Sequence, residues 1–174
     1  ATTLTKSGTG TLVLGGANTY TGPTYFNQGG LQASSLGNLG VGGALNFFGG
    51  TLQFGGAFDP SARTININSI GGGAIFDTNG YDVSLANSIG GGGLGSLTKT
   101  GTGTLTFNVL PTYAGGTTVL NGTLAAGAAN VLPGNVTING ATADLNVGSF
   151  DQTVGTLTLT NGAAIDITLD LRRA

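Results

Sequence analysis

The sequence has no cysteine, histidine, methionine or tryptophan, and all of its acidic residues are aspartates, so glutamate is missing too. Without imidazole or thiolate there is no histidine general base, no cysteine nucleophile and no ordinary zinc or haem site. Without cysteine the fold must also hold with no disulfide staples, in whatever redox compartment it resides. Charge is almost as scarce. Only 7% of residues are charged, against roughly a quarter in an average domain. A net charge of −2 spread over so few groups offers no footprint for nucleic acid or for an anionic membrane surface. No apolar run reaches the ~18 residues a membrane-spanning helix needs. Glycine follows no three-residue period, which excludes a collagen helix. The chain opens at Ala1 without an initiator methionine, and is expected to be a mature product or an excised segment.

What is present is small, polar and apolar by turns. Glycine supplies 35 of the 174 residues, threonine 27 and asparagine 15. Leucine, isoleucine, valine and phenylalanine make 46, about 26%, above the ~20% floor below which a chain stays disordered. The composition implies a folded β protein with many tight turns.

The strongest pattern is a stretch written twice. Leu4-Thr5-Lys6-Ser7-Gly8-Thr9-Gly10-Thr11-Leu12 returns 93 residues later as Leu97-Thr98-Lys99-Thr100-Gly101-Thr102-Gly103-Thr104-Leu105. At the same offset Tyr20 matches Tyr113, Gly22 matches Gly115, Thr24 matches Thr117 and Leu31 matches Leu124. One long unit therefore occupies residues 4–96 and a shortened copy residues 97–174, within a single domain spanning 1–174. A fixed long period marks stacked architectures.

Within each copy the pattern is one of short strands. Residues 3–14, 24–26, 44–48, 51–54, 64–68, 74–77 and 82–86 alternate or are wholly apolar, and glycine or asparagine bounds them. The second copy gives 104–108, 117–120, 123–125, 135–139, 143–147, 156–160 and 165–169. Residues 33–43 are the least β-like piece, a loop or a single helical turn. Leu31 to Leu52 and Leu124 to Leu145 are each 21 residues apart, the step of one coil in a multi-faced parallel β-solenoid. Seven or eight coils at ~4.8 Å would make a stack about 35–40 Å long. Apolar side chains would line the interior, and threonine and asparagine would form ladders outside. An outer-membrane barrel is the competing β architecture. It needs strands near ten residues and aromatic girdles, and four tyrosines without tryptophan do not supply them.

The run from Leu97 to Thr106, with Tyr113-Ala114-Gly115-Gly116-Thr117-Thr118-Val119 and Asn121-Gly122-Thr123-Leu124, resembles the autotransporter-associated β-strand repeat, also called the passenger-associated transport repeat. Residues 4–31, with Asn18-Thr19-Tyr20-Thr21-Gly22, resemble it equally. The likeness is specific for about thirty residues in each copy and looser between them. It implies a right-handed parallel β-helix in the secreted passenger of a bacterial autotransporter, a repeat that assists outward movement and is not itself catalytic. Gly22-Pro23 and Leu110-Pro111 depart from the usual repeat, at turn positions that carry no chemistry. The translocator barrel of the family does not occur in this sequence.

Few side chains invite a functional reading, and no catalytic, cofactor or metal residue is assigned. Asp77-Thr78-Asn79-Gly80-Tyr81-Asp82 has oxygen ligands at alternate positions, as a calcium loop does, but lacks the later bidentate glutamate. Asp77, Asn79 and Asp82 are expected to serve a hydrogen-bonded Asx turn, with weak calcium binding or aspartate catalysis as the minor readings. Gly71–Gly73 and Gly90–Gly93 lack the lysine and helix start of a phosphate loop, and read as corners with positive φ. Lys6 and Lys99, the only lysines, occupy equivalent places. A charge that blunts a sheet edge or rims a coil is the expected role, ahead of ligand binding. Tyr20 and Tyr113 are expected to pack at corners. Arg172 and Arg173 mark a processing point or solubilise the terminus.

The expectation is therefore a non-enzymatic, extracellular or cell-surface β-solenoid, a stiff segment for display, adhesion and outward transport. Its partners would be neighbouring coils or identical chains stacked end to end into a filament, with host or cell-surface glycans as ligands. Nucleic acid and membrane insertion are not expected. A β-helix that binds or cleaves carbohydrate is the remaining alternative, and would require clustered aspartates and aromatics on one face.

Overall fold

Among the described residues, seventeen short strands, each three to six residues long, account for nearly all the regular structure. The computed structural model describes residues 1–167, with side chains through Ile165. Every pairing among these strands is parallel. Three sheets result. The first holds β1 (Leu4–Lys6), β3 (Thr24–Phe26), β5 (Leu45–Phe47) and β7 (Ile65–Ile67). The second runs the length of the molecule through β2 (Thr11–Leu14), β4 (Gly30–Ala33), β6 (Thr51–Phe54), β8 (Ala74–Asp77), β10 (Leu97–Thr100), β12 (Thr117–Val119), β14 (Asn135–Asn139) and β16 (Thr156–Thr160). The third stacks β9 (Val83–Leu85), β11 (Thr104–Phe107), β13 (Gly122–Ala126), β15 (Ala143–Gly148) and β17 (Ala164–Ile167). This is a parallel β-solenoid of about eight turns, as the period of the apolar residues implied.

Strand alternation sorts the side chains in register. Along the second sheet the inward column reads Leu12, Leu31, Leu52, Phe76, Lys99, Val119, Ile138 and Leu159. The neighbouring outward column ends Thr98, Thr118, Thr137, Thr158. Phe26, Phe47, Phe54 and Phe76 are fully buried, and the Phe26 and Phe47 rings stack at 4.2 Å with 9° between planes. Each such ring or leucine removed from water contributes roughly 1.5–3 kcal/mol, which lets so uncharged a chain fold without cross-links. Outward polar ladders add to this. Gln32 Nε2 donates to Gln53 Oε1 at 3.0 Å, and Gln53 Nε2 in turn donates to Asp77 Oδ2 at 2.7 Å. Asn66 donates to Asn46 at 2.8 Å on the first sheet.

The third side is irregular at first. Residues Leu36–Leu39 and Pro60–Ala62 are 3-10 turns, the former within the segment that lacked a β pattern. Only from β9 onward does this side carry strands, while the first side ceases after β7 and continues as the single bridge Asn66–Gly90. The repeat explains the exchange. β1 and β2, which open the first copy, lie on the first and second sheets. β10 and β11, their counterparts 93 residues on, lie on the second and third. The offset is four coils plus one face, so the regular pair of strands moves round the axis and the irregular side moves with it.

β1 and β10 were not expected as separate strands, and both form because a corner at Gly8–Gly10 or Gly101–Gly103 divides each repeat's opening run. The strand expected over residues 165–169 is described as β17, and its last two residues lie outside the described part, as do Arg172 and Arg173.

Candidate functional site

The two lysines contradict their expected place. Lys99 lies in β10, in the middle of the second sheet, and neither blunts an edge nor rims a coil; Lys6 does lie in an edge strand, β1, but its charge is turned inward. In β1 Leu4 points in, Thr5 out and Lys6 in, and in β10 Leu97, Thr98 and Lys99 repeat the order. Lys99 is fully buried between Phe76 and Val119 in an otherwise apolar column, and Lys6 is also buried, beside Phe26. A bare ammonium in such surroundings would cost several kcal/mol. It is tolerated because the corner beyond each strand turns main-chain oxygens toward it. Lys99 Nζ donates to Thr100 O at 3.2 Å, Gly101 O at 2.9 Å, Asn121 O at 3.0 Å and Thr78 Oγ1 at 2.9 Å. Lys6 Nζ donates to Ser7 O at 3.2 Å, Gly8 O at 2.7 Å and Gln28 O at 3.1 Å. The three carbonyls correspond one for one at the 93-residue offset. Lys99 has a fourth ligand because a preceding coil supplies Thr78, and the Thr78 hydroxyl lies 2.7 Å from Thr102 O.

Burial drives the Lys99 ammonium down to about 8, with Asp77 and then Asp82 drawing it back up. It therefore remains charged at neutral pH. Glycine closes each cage. Gly29 and Gly122 both have φ of +68°, and a Cβ on Gly122 would stand 2.5 Å from Gly103 O, 2.6 Å from Gly101 O and 2.8 Å from Lys99 Nζ. No side chain can enter there.

A second matched pair sits one coil on. The Tyr20 hydroxyl lies 2.8 Å from Thr24 Oγ1, and Tyr113 lies 2.5 Å from Thr117 Oγ1. Thr24 and Thr117 are inward and buried. The tyrosines pack at corners, as expected, and each hydroxyl satisfies a threonine that the core encloses. Burial raises both phenols above the ordinary tyrosine range, Tyr113 much the further, and the threonine bonds oppose this.

The acidic loop is engaged in turn geometry. Asp77 Oδ1 accepts from the Asn79 N–H at 3.0 Å, an Asx turn, and Asp82 Oδ1 accepts from the Thr104 N–H at 2.8 Å. Asn79 takes φ of +49°. Among the described residues no three acidic, histidine or cysteine side chains gather as a metal site would need. The glycine runs are corners: Gly71–Gly73 and Gly90–Gly92 all have positive φ.

Arg63 was not singled out in the sequence. Its Nε donates to Gly43 O at 2.9 Å and its Nη1 to Leu39 O at 2.6 Å, both in the preceding coil. Burial lowers its affinity for the proton and Tyr20 opposes that. Shallow surface grooves of ≈ 730 and ≈ 420 Å³ flank it, the first lined by Gly40–Ala44 and the second reaching Asn87, Ser88 and Thr112. Among the described residues, then, all three cationic side chains hold main-chain carbonyls, and each reaches into a neighbouring coil. Cation-to-carbonyl stitching had no sequence signal beyond the matched lysines.

The passenger-associated transport repeat matches residues 4–33 and 97–126, the segments that contain the two lysines with their carbonyl ligands and the two tyrosine–threonine pairs. Over 149 residues, 79% of this chain, the sequence is 37% identical to "Adhesin BmaC autotransporter" from Brucella suis biovar 1 (strain 1330). The chain spans only 4% of that protein's length. No solved structure matches it.

Proposed function

With two passenger-associated transport repeats in one solenoid, the chain belongs with the autotransporter passenger-repeat proteins, and we propose that it works as a non-enzymatic structural segment of an adhesin at the bacterial surface. The observation that carries this is the joining of both repeats by one unbroken eight-stranded sheet. Such a stack transmits orientation from coil to coil and can hold adhesive parts away from the cell. No helix among the described residues is long and apolar enough to cross a membrane. The mechanism is geometric. Each coil that closes outside the cell buries its inward column on the last one, and this free energy favours further outward movement. The polar outer ladders and the grooves beside Arg63 are the surfaces that would meet host or cell-surface glycans.

An antibody raised against this chain should label intact cells that produce the full-length protein, and external protease should remove the label. Labelling only after lysis would overturn the surface assignment. Beads coated with the chain should bind host cells above uncoated beads if the segment is itself adhesive; equal binding would leave it a spacer. Stacking of identical chains into a filament is the second reading, favoured by the all-parallel pairing of the described strands, in which each coil offers the next the same ladder. It predicts that sedimentation of the purified chain grows with concentration.

A further inference from the structure

We propose that the Lys-x-Gly-x-Gly corner of each repeat is a monovalent-cation site built from main-chain oxygens of consecutive coils, which the chain keeps filled with its own ammonium, and that filling it fixes the register of those coils. This does not depend on the surface assignment above.

The ligand set points to a whole positive charge. The Lys99 cage consists of three carbonyl oxygens and one hydroxyl at 2.9–3.2 Å, with no carboxylate among them. Converging carbonyl dipoles are how proteins replace the water around a monovalent cation. The inward column does not itself call for lysine. Its other members are leucine, phenylalanine, valine and isoleucine, and any of these would fill the space. The corner supplies oxygens suited to a cation: among the described residues Asn121 O takes no other donor, and Thr100 O and Gly101 O share only the N–H and hydroxyl of Thr78. A buried oxygen left with no partner costs about 1–3 kcal/mol. The same three carbonyl positions serve Lys6, on a different pair of faces, so the arrangement belongs to the repeat and not to one location.

The register argument follows from the ligands' addresses. Thr78 lies in the coil before Lys99, Thr100 and Gly101 beyond it in its own coil, and Asn121 in the coil after. One ammonium therefore ties three coils. Slippage by one residue is already forbidden, because it would turn the apolar column outward. Slippage by two is not: runs such as Thr104-Leu105-Thr106-Phe107 and Thr156-Leu157-Thr158-Leu159 present the same alternation after a two-residue shift. Only a feature that occurs once per repeat can penalise it, and the caged lysine is such a feature.

The test uses the 174-residue chain at pH 7. Lys99→Ala empties the cage. Its melting temperature should fall, and ammonium or n-butylammonium chloride should restore part of the loss, while tetramethylammonium chloride at equal ionic strength should not. An equal response to all three salts would overturn the cation site. Lys99→Met fills the column but removes the ammonium, leaving Asn121 O without a donor and Thr100 O and Gly101 O with Thr78 alone. Amide exchange at Thr78, Gly80, Leu120 and Thr123, whose N–H groups bond across these coils, should quicken by about tenfold or more. Exchange unchanged from wild type would reduce the lysine to a filler and sink the register claim. Should neither variant fold, the wild type remains decisive: the Lys99 ammonium protons should exchange with water at least about tenfold more slowly than those of a free lysine. Equal rates would show that no cage holds them.

Discussion

At the scale of single residues, the alternation of Leu4-Thr5-Lys6 already carried the answer that the charge of lysine obscured. Period two places Lys6 and Lys99 on the side of the leucines. The usual exposure of lysine argues the other way, and it fails here because the carbonyls that receive the ammonium come from glycine corners with no pattern of their own. The cage glycines can be tested directly. Gly122→Ala should destabilise by roughly 2–4 kcal/mol, since both its positive φ and its Cβ position conflict with the fold. Gly8→Ala, at φ of +81° with nothing within 4 Å of the added carbon, should cost only about 1 kcal/mol. Urea denaturation of the two variants would separate these outcomes. Tyr113→Phe leaves the buried Thr117 hydroxyl without its partner and should cost about 1–3 kcal/mol, more than Tyr20→Phe, since the Tyr20 side chain is only partly buried and water can reach the pair.

The pH dependence of Lys99 has a defined sign. The folded chain releases this proton near 8 and the unfolded chain near 10.5. Between those values the unfolded state binds more protons, so stability rises with pH across that window. Below about 8 both states are protonated, and the contribution is lost. The urea midpoint of the wild type should accordingly gain on that of Lys99→Met as pH climbs from 8 toward 10. A difference that shrank would contradict the assignment.

At the scale of elements, strands bounded by glycine or asparagine were legible because apolar residues recur at two and then at about twenty-one. β1 and β10 were not, since each is joined by a short corner to a stronger strand, and three residues of alternation give little signal. The 3-10 turns at Leu36–Leu39 and Pro60–Ala62 rest on side-chain bonds: Asn38 Oδ1 accepts from the N–H groups of Ser34 and Ser35, and Asp59 Oδ1 from that of Ser61. The ladder of Gln32, Gln53 and Asp77 offers an element-level test. Gln53→Ala removes both of its links and should cost about 1–3 kcal/mol; a smaller loss in urea would mean that water replaces them.

At the scale of the molecule, a stack whose coils touch only their neighbours should not open uniformly. The buried phenylalanines cluster between β3 and β11, whereas β16 is largely exposed. Hydrogen exchange should therefore be slowest from β4 to β12 and fastest in β16. Uniform protection would show instead that the solenoid unfolds as one unit.

The extra face in the spacing of the repeats bears on how such a molecule meets its surroundings. If every repeat advanced by whole coils, equivalent surface residues would line up along one flank like keys on a keyboard. Here Thr5 and Thr98 look out from different sheets. Anything carried at equivalent positions winds around the axis as the treads of a spiral stair do, so that successive repeats in a longer protein would address their environment from every side.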